Sequence, residues 1–140
     1  MTKRISSSAM LGTILLAGVT ACGGASVSIV EPADGATIKA PFQLKVKSSE
    51  SLGPKESGQH HVHLFFDGND KKYDVIESDS IEIGTSSKAM AGLSPGRHEM
   101  DVSLRNADHS PAGAETKIMV EVGEGGGSTG GGAGGGGNGY

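Results

Sequence analysis

The chain has 140 residues, of which 24 are glycine, one is cysteine and none is tryptophan, and its formal net charge is −4. The acidic residues are scattered along the chain, which argues against nucleic acid as a partner, because binding to nucleic acid needs clustered positive charge. A single cysteine cannot form an internal disulfide, so the fold has to be stabilised by its core.

The first residues are typical of a secretory signal peptide, assigned here to residues 1–21. Lys3 and Arg4 provide a positive start, and residues 9–21 form an apolar run that is too short to cross about 30 Å of hydrocarbon as a helix. The run ends in VTAC, which resembles the lipobox of bacterial lipoproteins. The resemblance implies cleavage before Cys22 and its conversion to a diacylglyceryl thioether carrying palmitate-type chains. The alternative is a plain signal peptide with an incidental cysteine.

Lipidation would make this an exported protein, anchored to the outer face of the cytoplasmic membrane or to the outer membrane. Residues 22–25 are then the acylated cysteine and a short tether. Two or three acyl chains retain a protein stably, at about 0.8 kcal/mol per buried CH₂ group, whereas one chain holds it only marginally. Removal of Lys3 and Arg4 with the signal shifts the net charge to about −6, which favours solubility.

The opposite end of the chain, residues 123–140, is mostly glycine. Glycine loses the most conformational entropy on ordering, and this segment has almost nothing apolar to bury in return. We therefore predict a disordered tail.

Residues 26–122 form the one predicted domain, and their apolar residues alternate with polar ones throughout. No segment has the i, i+3, i+4, i+7 spacing of an amphipathic helix, and turn signals such as PADG and SPG separate the runs. The pattern predicts an all-β fold, a single immunoglobulin-like antiparallel β-sandwich of about seven strands, each with one apolar face. A small closed barrel is the main competitor. The alternating runs are Val27/Ile29, Phe42/Leu44/Val46, Val62/Leu64/Phe66, Tyr73/Val75, Ile81/Ile83, Met100/Val102/Leu104 and Ile118/Val120/Val122.

The stretch GQHHVHLFFDG, residues 58–68, contains three of the five histidines. If Val62, Leu64 and Phe66 face the core, then His61 and His63 project together from the other face, because side chains alternate along a strand. His60 lies at the start of this strand, where its side chain can reach the rim. Two imidazoles placed in this way can converge on one metal ion, although further ligands are needed for a strong site.

Immunoglobulin topology indicates where those ligands come from. Lettered from A, the histidine strand is strand C and RHEMDVSLRN is strand F, and these two strands are antiparallel neighbours. The loop after strand F, NADHSPAG, then brings Asp108 and His109 to the same rim. The predicted metal site therefore comprises His60, His61, His63, Asp108 and His109, with Cu(II) or Zn(II) as the ion.

The histidines also have a structural interpretation, in which they stack, hydrogen-bond to a loop or pair with Glu99 or Asp101. The domain is then a metal-independent structural or interaction module with a protein partner in the cell envelope. His98 is in phase with Met100, which predicts a residue at the boundary of the core. No complete catalytic signature is present, so we predict no enzyme and no catalytic residues.

Four pieces of the domain together resemble a bacterial family known only as domain of unknown function 4399. They are EPADGATIKAPFQLKV, GQHHVHLFFDG, LSPGRHEMDVSLRNADHSP and KIMVEV, and they cover nearly all of residues 27–122. The resemblance implies a small exported immunoglobulin-like domain, with His60, His61, Asp108 and His109 at motif positions. This chain departs from the family pattern where Val62 interrupts a run of histidines and His63 follows.

Overall fold

The computed structural model describes residues 24–124. The predictions about the signal peptide, Cys22 and nearly all of the glycine-rich tail therefore lie outside the described residues. Within residues 24–124, no helix is long and apolar enough to cross a membrane. Apart from one 3₁₀ turn at Lys55–Ser57, the regular structure consists of strands. They are β1 (Val27–Glu31), β2 (Thr37–Ile38), β3 (Phe42–Ser48), β4 (His61–Phe66), β5 (Asp74–Ile76), β6 (Ser80–Ile83), β7 (Gly96–Arg105) and β8 (Pro111–Val122).

The strands form two sheets. One has the order β1-β3-β6 and the other the order β2-β8-β7-β4-β5. This arrangement confirms the predicted immunoglobulin-like sandwich and places β4 beside β7, with the two strands antiparallel. The expectation of an entirely antiparallel fold has one exception, because the two-residue strand β2 pairs with β8 in parallel.

The core lies between the two sheets and is built from the alternating apolar residues. Leu44 and Val46 come from the smaller sheet, and Leu64, Met100 and Val120 come from the larger one; all five are buried. Fully burying a side chain of this kind contributes about 1.5–3 kcal/mol relative to leaving it exposed. The domain thus has an apolar core that does not depend on any bound ion.

Strand β4 departs from the expectation of one apolar face, because all six of its residues are buried. Val62, Leu64 and Phe66 belong to the core between the sheets, as their phase predicts. His61 and His63 project from the opposite face, yet they are only 1% and 4% exposed. This second face is covered, because Tyr73 from the β4–β5 connection and His109 from the β7–β8 connection pack over it.

Strand β5 also differs from its predicted phase. Tyr73 and Val75 form the apolar run in the sequence, but Ile76 is the residue that enters the core. The cause is the register, in which Ile76 lies opposite Val62 and Val75 lies opposite His63. Val75 is consequently 38% exposed.

The β4–β5 connection is held against the second face by a hydrogen bond from a tight turn. Asp67 and Gly68 have φ values of 54° and 71°, in the left-handed region that aspartate and glycine tolerate better than most residues. The Gly68 N–H donates to Oδ2 of Asp101, at 3.2 Å. Asp101 is 2% exposed, so this bond links the turn to a buried carboxyl group on β7.

The buried carboxyl group makes stability depend on pH. Burial raises the pKa of Asp101 to about 6; the bond from Gly68 opposes this rise, and the nearby Glu99 and Glu115 add to it. The folded protein therefore favours the neutral form, and this contribution to stability is lost as pH rises through about 6. Asp101→Asn keeps an oxygen acceptor without the charge. We expect it to raise the free energy of unfolding by on the order of 2 kcal/mol near pH 7.5 and by much less near pH 4.

Urea denaturation at the two pH values measures this difference. An equal effect of the substitution at both values would contradict the assignment.

Candidate metal centre

Two histidines of the candidate site lie on one strand. His61 and His63 are two residues apart on β4, so their rings project from the same face, away from the core. Their register partners on β7 are Arg105 and Ser103. The Nε2 atoms of the two rings are 3.1 Å apart, which means that both nitrogens point to one place.

The third histidine, His109, comes from the β7–β8 connection. The turn is closed by backbone hydrogen bonds from Asn106 N–H to Ser110 O and from His109 N–H to Asn106 O, each 2.9 Å long. His109 has a φ of 68°, a left-handed conformation in which histidine is enriched among non-glycine residues. The turn thereby directs Nδ1 of His109 to within 3.2 Å of His61 Nε2 and 3.0 Å of His63 Nε2.

Asp108 has a different role in the same turn. Its side chain is exposed, and its Oδ1 accepts hydrogen bonds from both the backbone N–H and the hydroxyl group of Ser110. These bonds hold the pKa of the Asp108 carboxyl group below its usual range. Asp108 therefore stabilises the turn that presents His109, and its carboxylate is not among the converging donor atoms.

The three ring nitrogens form a nearly equilateral triangle, and hydrogen bonding does not account for it. A neutral imidazole nitrogen carries either one N–H or one lone pair, both in the plane of the ring. Among three such atoms at mutual distances of 3.0–3.2 Å, at least one pair must set donor against donor or acceptor against acceptor. Three lone pairs directed at one point form a site for a cation.

The size of the triangle suits a first-row transition metal. With metal–nitrogen bonds of about 2.0–2.1 Å, donor atoms 3.0–3.2 Å apart correspond to N–metal–N angles of about 90–105°. An ion bound at this distance lies about 1 Å outside the plane of the three nitrogens. All three ligands are then on one side of the ion, and the other side is left for a further ligand.

Two of the histidines are held in the neutral form that binds metals. Burial lowers the pKa of His63 to about 4, and the charges of Arg105, His61 and His109 act in the same direction. Burial likewise lowers the pKa of His61, with His109 and Arg105 contributing. Both rings are therefore unprotonated at neutral pH, so an incoming cation does not have to displace a proton from them.

The surroundings of the two strand histidines differ. The ring of Tyr73 stacks on His63, with centroids 3.8 Å apart and planes 11° from parallel, and it covers one side of the imidazole. The Nδ1 atom of His61 is buried and has no hydrogen-bond partner within residues 24–124. Tyr73 thus stacks on one ligand, whereas the ring of His61 contacts the rings of His63 and His109.

Of the five residues in the predicted site, the structure brings together His61, His63 and His109. His60 is not in this group. Its backbone pairs with Ser51 and Gly53 at the start of β4, and its phase is that of Val62 rather than that of His61. Sequence analysis also missed two neighbours, Tyr73 and Arg105. Each lies in a run of alternating apolar and polar residues that the sequence shows. Their proximity to the histidines, however, depends on the register of β5 and β7 with β4.

The remaining histidine, His98, lies elsewhere on the molecule. It is partly buried at the start of β7, where Nδ1 is 2.6 Å from Asp67 Oδ2 and Nε2 is 2.7 Å from the carbonyl oxygen of Ser94. Burial lowers the pKa of His98, but the bonds to Asp67 and Ser94, together with the charges of Asp67 and Glu121, raise it overall. His98 therefore joins two loops at the edge of the core and is separate from the metal centre.

The cleft lined by Tyr73 does not include the three histidines. A cleft of about 880 Å³ lies on the other side of Tyr73, between residues 71–75 and residues 86–91, and its lining includes none of the three. An organic molecule of drug size needs a concave site of this volume, whereas a metal ion needs only converging donor atoms. The histidine cluster is thus of a size for an ion.

Comparison with known proteins gives likenesses of fold only. No family model matches the sequence, and no curated protein matches it, so the resemblance to domain of unknown function 4399 stays a prediction. An endo-β-1,4-mannanase from Thermotoga petrophila is 15% identical, with a TM-score of 0.44 over 70% of this chain and 19% of that chain. The fibronectin(III)-like modules of Clostridium thermocellum CbhA are 18% identical, with a TM-score of 0.42 over 69% of this chain and 96% of theirs. The chain thus spans less than a fifth of the mannanase.

The stacking of Tyr73 on His63 leads to a prediction about protonation. Burial is the main cause of the low pKa of His63, and Tyr73 covers one side of its ring. We expect Tyr73→Ala to raise the pKa of His63 from about 4 toward its ordinary value, whereas Tyr73→Phe, which keeps the ring, leaves it low. NMR titration of the ring protons in the presence of a chelator measures both variants. If the pKa of His63 stays low in Tyr73→Ala, a group other than Tyr73 must bury the His63 ring.

Proposed function

We propose that this protein is a membrane-anchored extracytoplasmic domain that binds one Cu(II) or Zn(II) ion. The ligands are Nε2 of His61, Nε2 of His63 and Nδ1 of His109. The observation that carries the proposal is the triangle of ring nitrogens 3.0–3.2 Å apart, in which no assignment of donors and acceptors satisfies all three pairs.

The choice of metal follows from the donor atoms. Imidazole nitrogen suits zinc and copper, and among divalent ions copper generally binds most tightly to nitrogen ligands. Cu(I) prefers sulfur ligands, and the nearby strand offers none, because Met100 is in the core on the other face of the sheet. Cys22, the single cysteine of the sequence, is assigned to the lipid anchor.

The core supports binding as the function of the site, rather than a structural role for the metal. Small zinc domains fold only with their ion, because they lack sufficient apolar core. This domain buries Leu44, Leu64 and Met100 between two sheets, on the opposite face of β4 from the histidines. The apo form is therefore expected to be folded, and the metal can exchange without unfolding the domain.

Calorimetric titration tests the proposal. The metal-free mature domain is titrated with Cu(II) and with Zn(II) near neutral pH. We expect one ion per chain, with a Kd tighter than about 10 µM for at least one metal. His61→Ala and His109→Asn should each weaken binding by about 100-fold or more, because each removes one of three ligands. Asparagine is chosen at position 109 because it tolerates the left-handed backbone of the turn.

Two variants serve as matched controls. His60→Ala removes a neighbouring imidazole that is outside the triangle, and Asp108→Asn keeps a side-chain acceptor for the backbone N–H of Ser110 without the charge. Both should bind within about threefold of the unaltered domain, since neither removes a ligand. If neither Cu(II) nor Zn(II) binds, the result would favour the alternative, a metal-independent interaction domain of the envelope.

The membrane anchor is proposed from the VTAC sequence that ends at Cys22. Mass spectrometry of the protein expressed at full length in a bacterial host should show a mature chain that begins at Cys22 and carries the mass of added acyl chains. Cys22→Ser should lose that mass and move from the detergent phase to the aqueous phase on partitioning, because two or three acyl chains are what retain the protein. A mature terminus at another residue would rule out this anchor.

A further inference from the structure

Arg105 lies beside the histidine triangle and has no role in the metal site so far described. It is directly opposite His61 in the pairing of β4 with β7, and residues paired in this way project from the same face of a sheet. Burial is the main cause of the lowered pKa of His61 and His63, and the charge of Arg105 lowers both further. A permanent positive charge is therefore positioned next to a site that is itself suited to a cation.

Arg105 has no anionic partner in the part of the chain that the structure describes. The ion pairs there are Lys45 with Glu31, His98 with Asp67, and Lys117 with Glu99. The Nε–H of Arg105 is buried and has no acceptor within residues 24–124. A buried donor without an acceptor is rare in folded proteins, and an ion or water that completes the site is a common explanation.

The charges in the metal-loaded site do not balance. An imidazole that binds a metal ion is neutral, so three histidine ligands leave a divalent ion with its full charge, and Arg105 adds a further positive charge. The acidic residue closest in sequence to the ligands, Asp108, is turned to Ser110 and exposed to solvent. Close like charges raise the free energy of the site unless an anion compensates for them.

The coordination geometry leaves a position for such an anion. The three histidines occupy one side of the ion, and a zinc or copper ion with three protein ligands generally takes a further ligand from solution. Arg105 projects from the same face of the sheet as His61, and its guanidinium group is of a kind that pairs well with planar oxyanions.

We propose that the metal-loaded domain binds a small planar anion, a carboxylate or oxyanion of about the size of formate or bicarbonate, between the ion and Arg105. The inference rests on the proposed metal site and names the ligand class of its open position. The ligand is small because the large cleft beyond Tyr73 does not extend to the histidines. Arg105 acts as the selecting group, since it favours an anion over water at the fourth position.

The test uses the mature domain loaded with Cu(II), with full occupancy confirmed by metal analysis for every variant. Formate and bicarbonate are the probes, and the change in the copper absorption and electron paramagnetic resonance spectra reports their binding. We expect Arg105→Gln to weaken the binding of both anions by about 10- to 100-fold, the effect of losing a charged hydrogen-bond donor. Arg105→Lys keeps the charge without the fork of donors. Its anion affinities should lie between those of the unaltered domain and those of Arg105→Gln.

Arg97→Gln is the matched control, because it makes the same change on the same strand at an exposed position opposite Glu121. It should bind both anions as the unaltered domain does. Equal anion affinities for Arg105→Gln and the unaltered domain would overturn the role of Arg105 and leave the metal site standing. Failure of the unaltered domain to load either Cu(II) or Zn(II) would overturn the metal site and this inference together.

Discussion

The antiparallel pairing of β4 with β7 is the contact on which the other features of the domain depend. The pleat of the paired strands sends Val62 and Leu64 into the core and turns His61 and His63 to the opposite face. The same pairing places the start of β4 beside the end of β7, and therefore beside the turn that presents His109. One set of backbone hydrogen bonds thus organises both the hydrophobic core and the candidate metal centre.

The division between core and site was accessible from the sequence because it depends on a local property. Alternation along a strand has a period of two regardless of what surrounds it, so the phase of Val62 determined that of His61. The proximity of His109 required one more assumption, that strands lettered C and F are neighbours. The sandwich satisfies that assumption through the pairing of β4 with β7.

The features that sequence analysis did not anticipate depend on contacts between distant segments. The burial of the histidine face follows from the β4–β5 connection, which is held by the bond from Gly68 to Asp101 and by the stacking of Tyr73 on His63. The orientation of Asp108 follows from the geometry of its own turn, in which Ser110 engages the carboxylate. The alternation of apolar and polar residues predicts neither the burial of this face nor the orientation of Asp108. Both depend on which side chains the loops contact in the folded domain.

The position of His109 on a five-residue turn has a consequence for how an ion would come and go. Two ligands lie on a strand that has hydrogen-bonded neighbours on both sides, and their nitrogens stay in place as long as the sheet is intact. The third lies on a surface turn closed by a few hydrogen bonds, and turns of this kind open far more often than central strands. If the proposed ion binds, opening of this turn would remove one of its three ligands without disturbing the sheet, so the rate of release would depend on residues 106–110 more than on the stability of the domain.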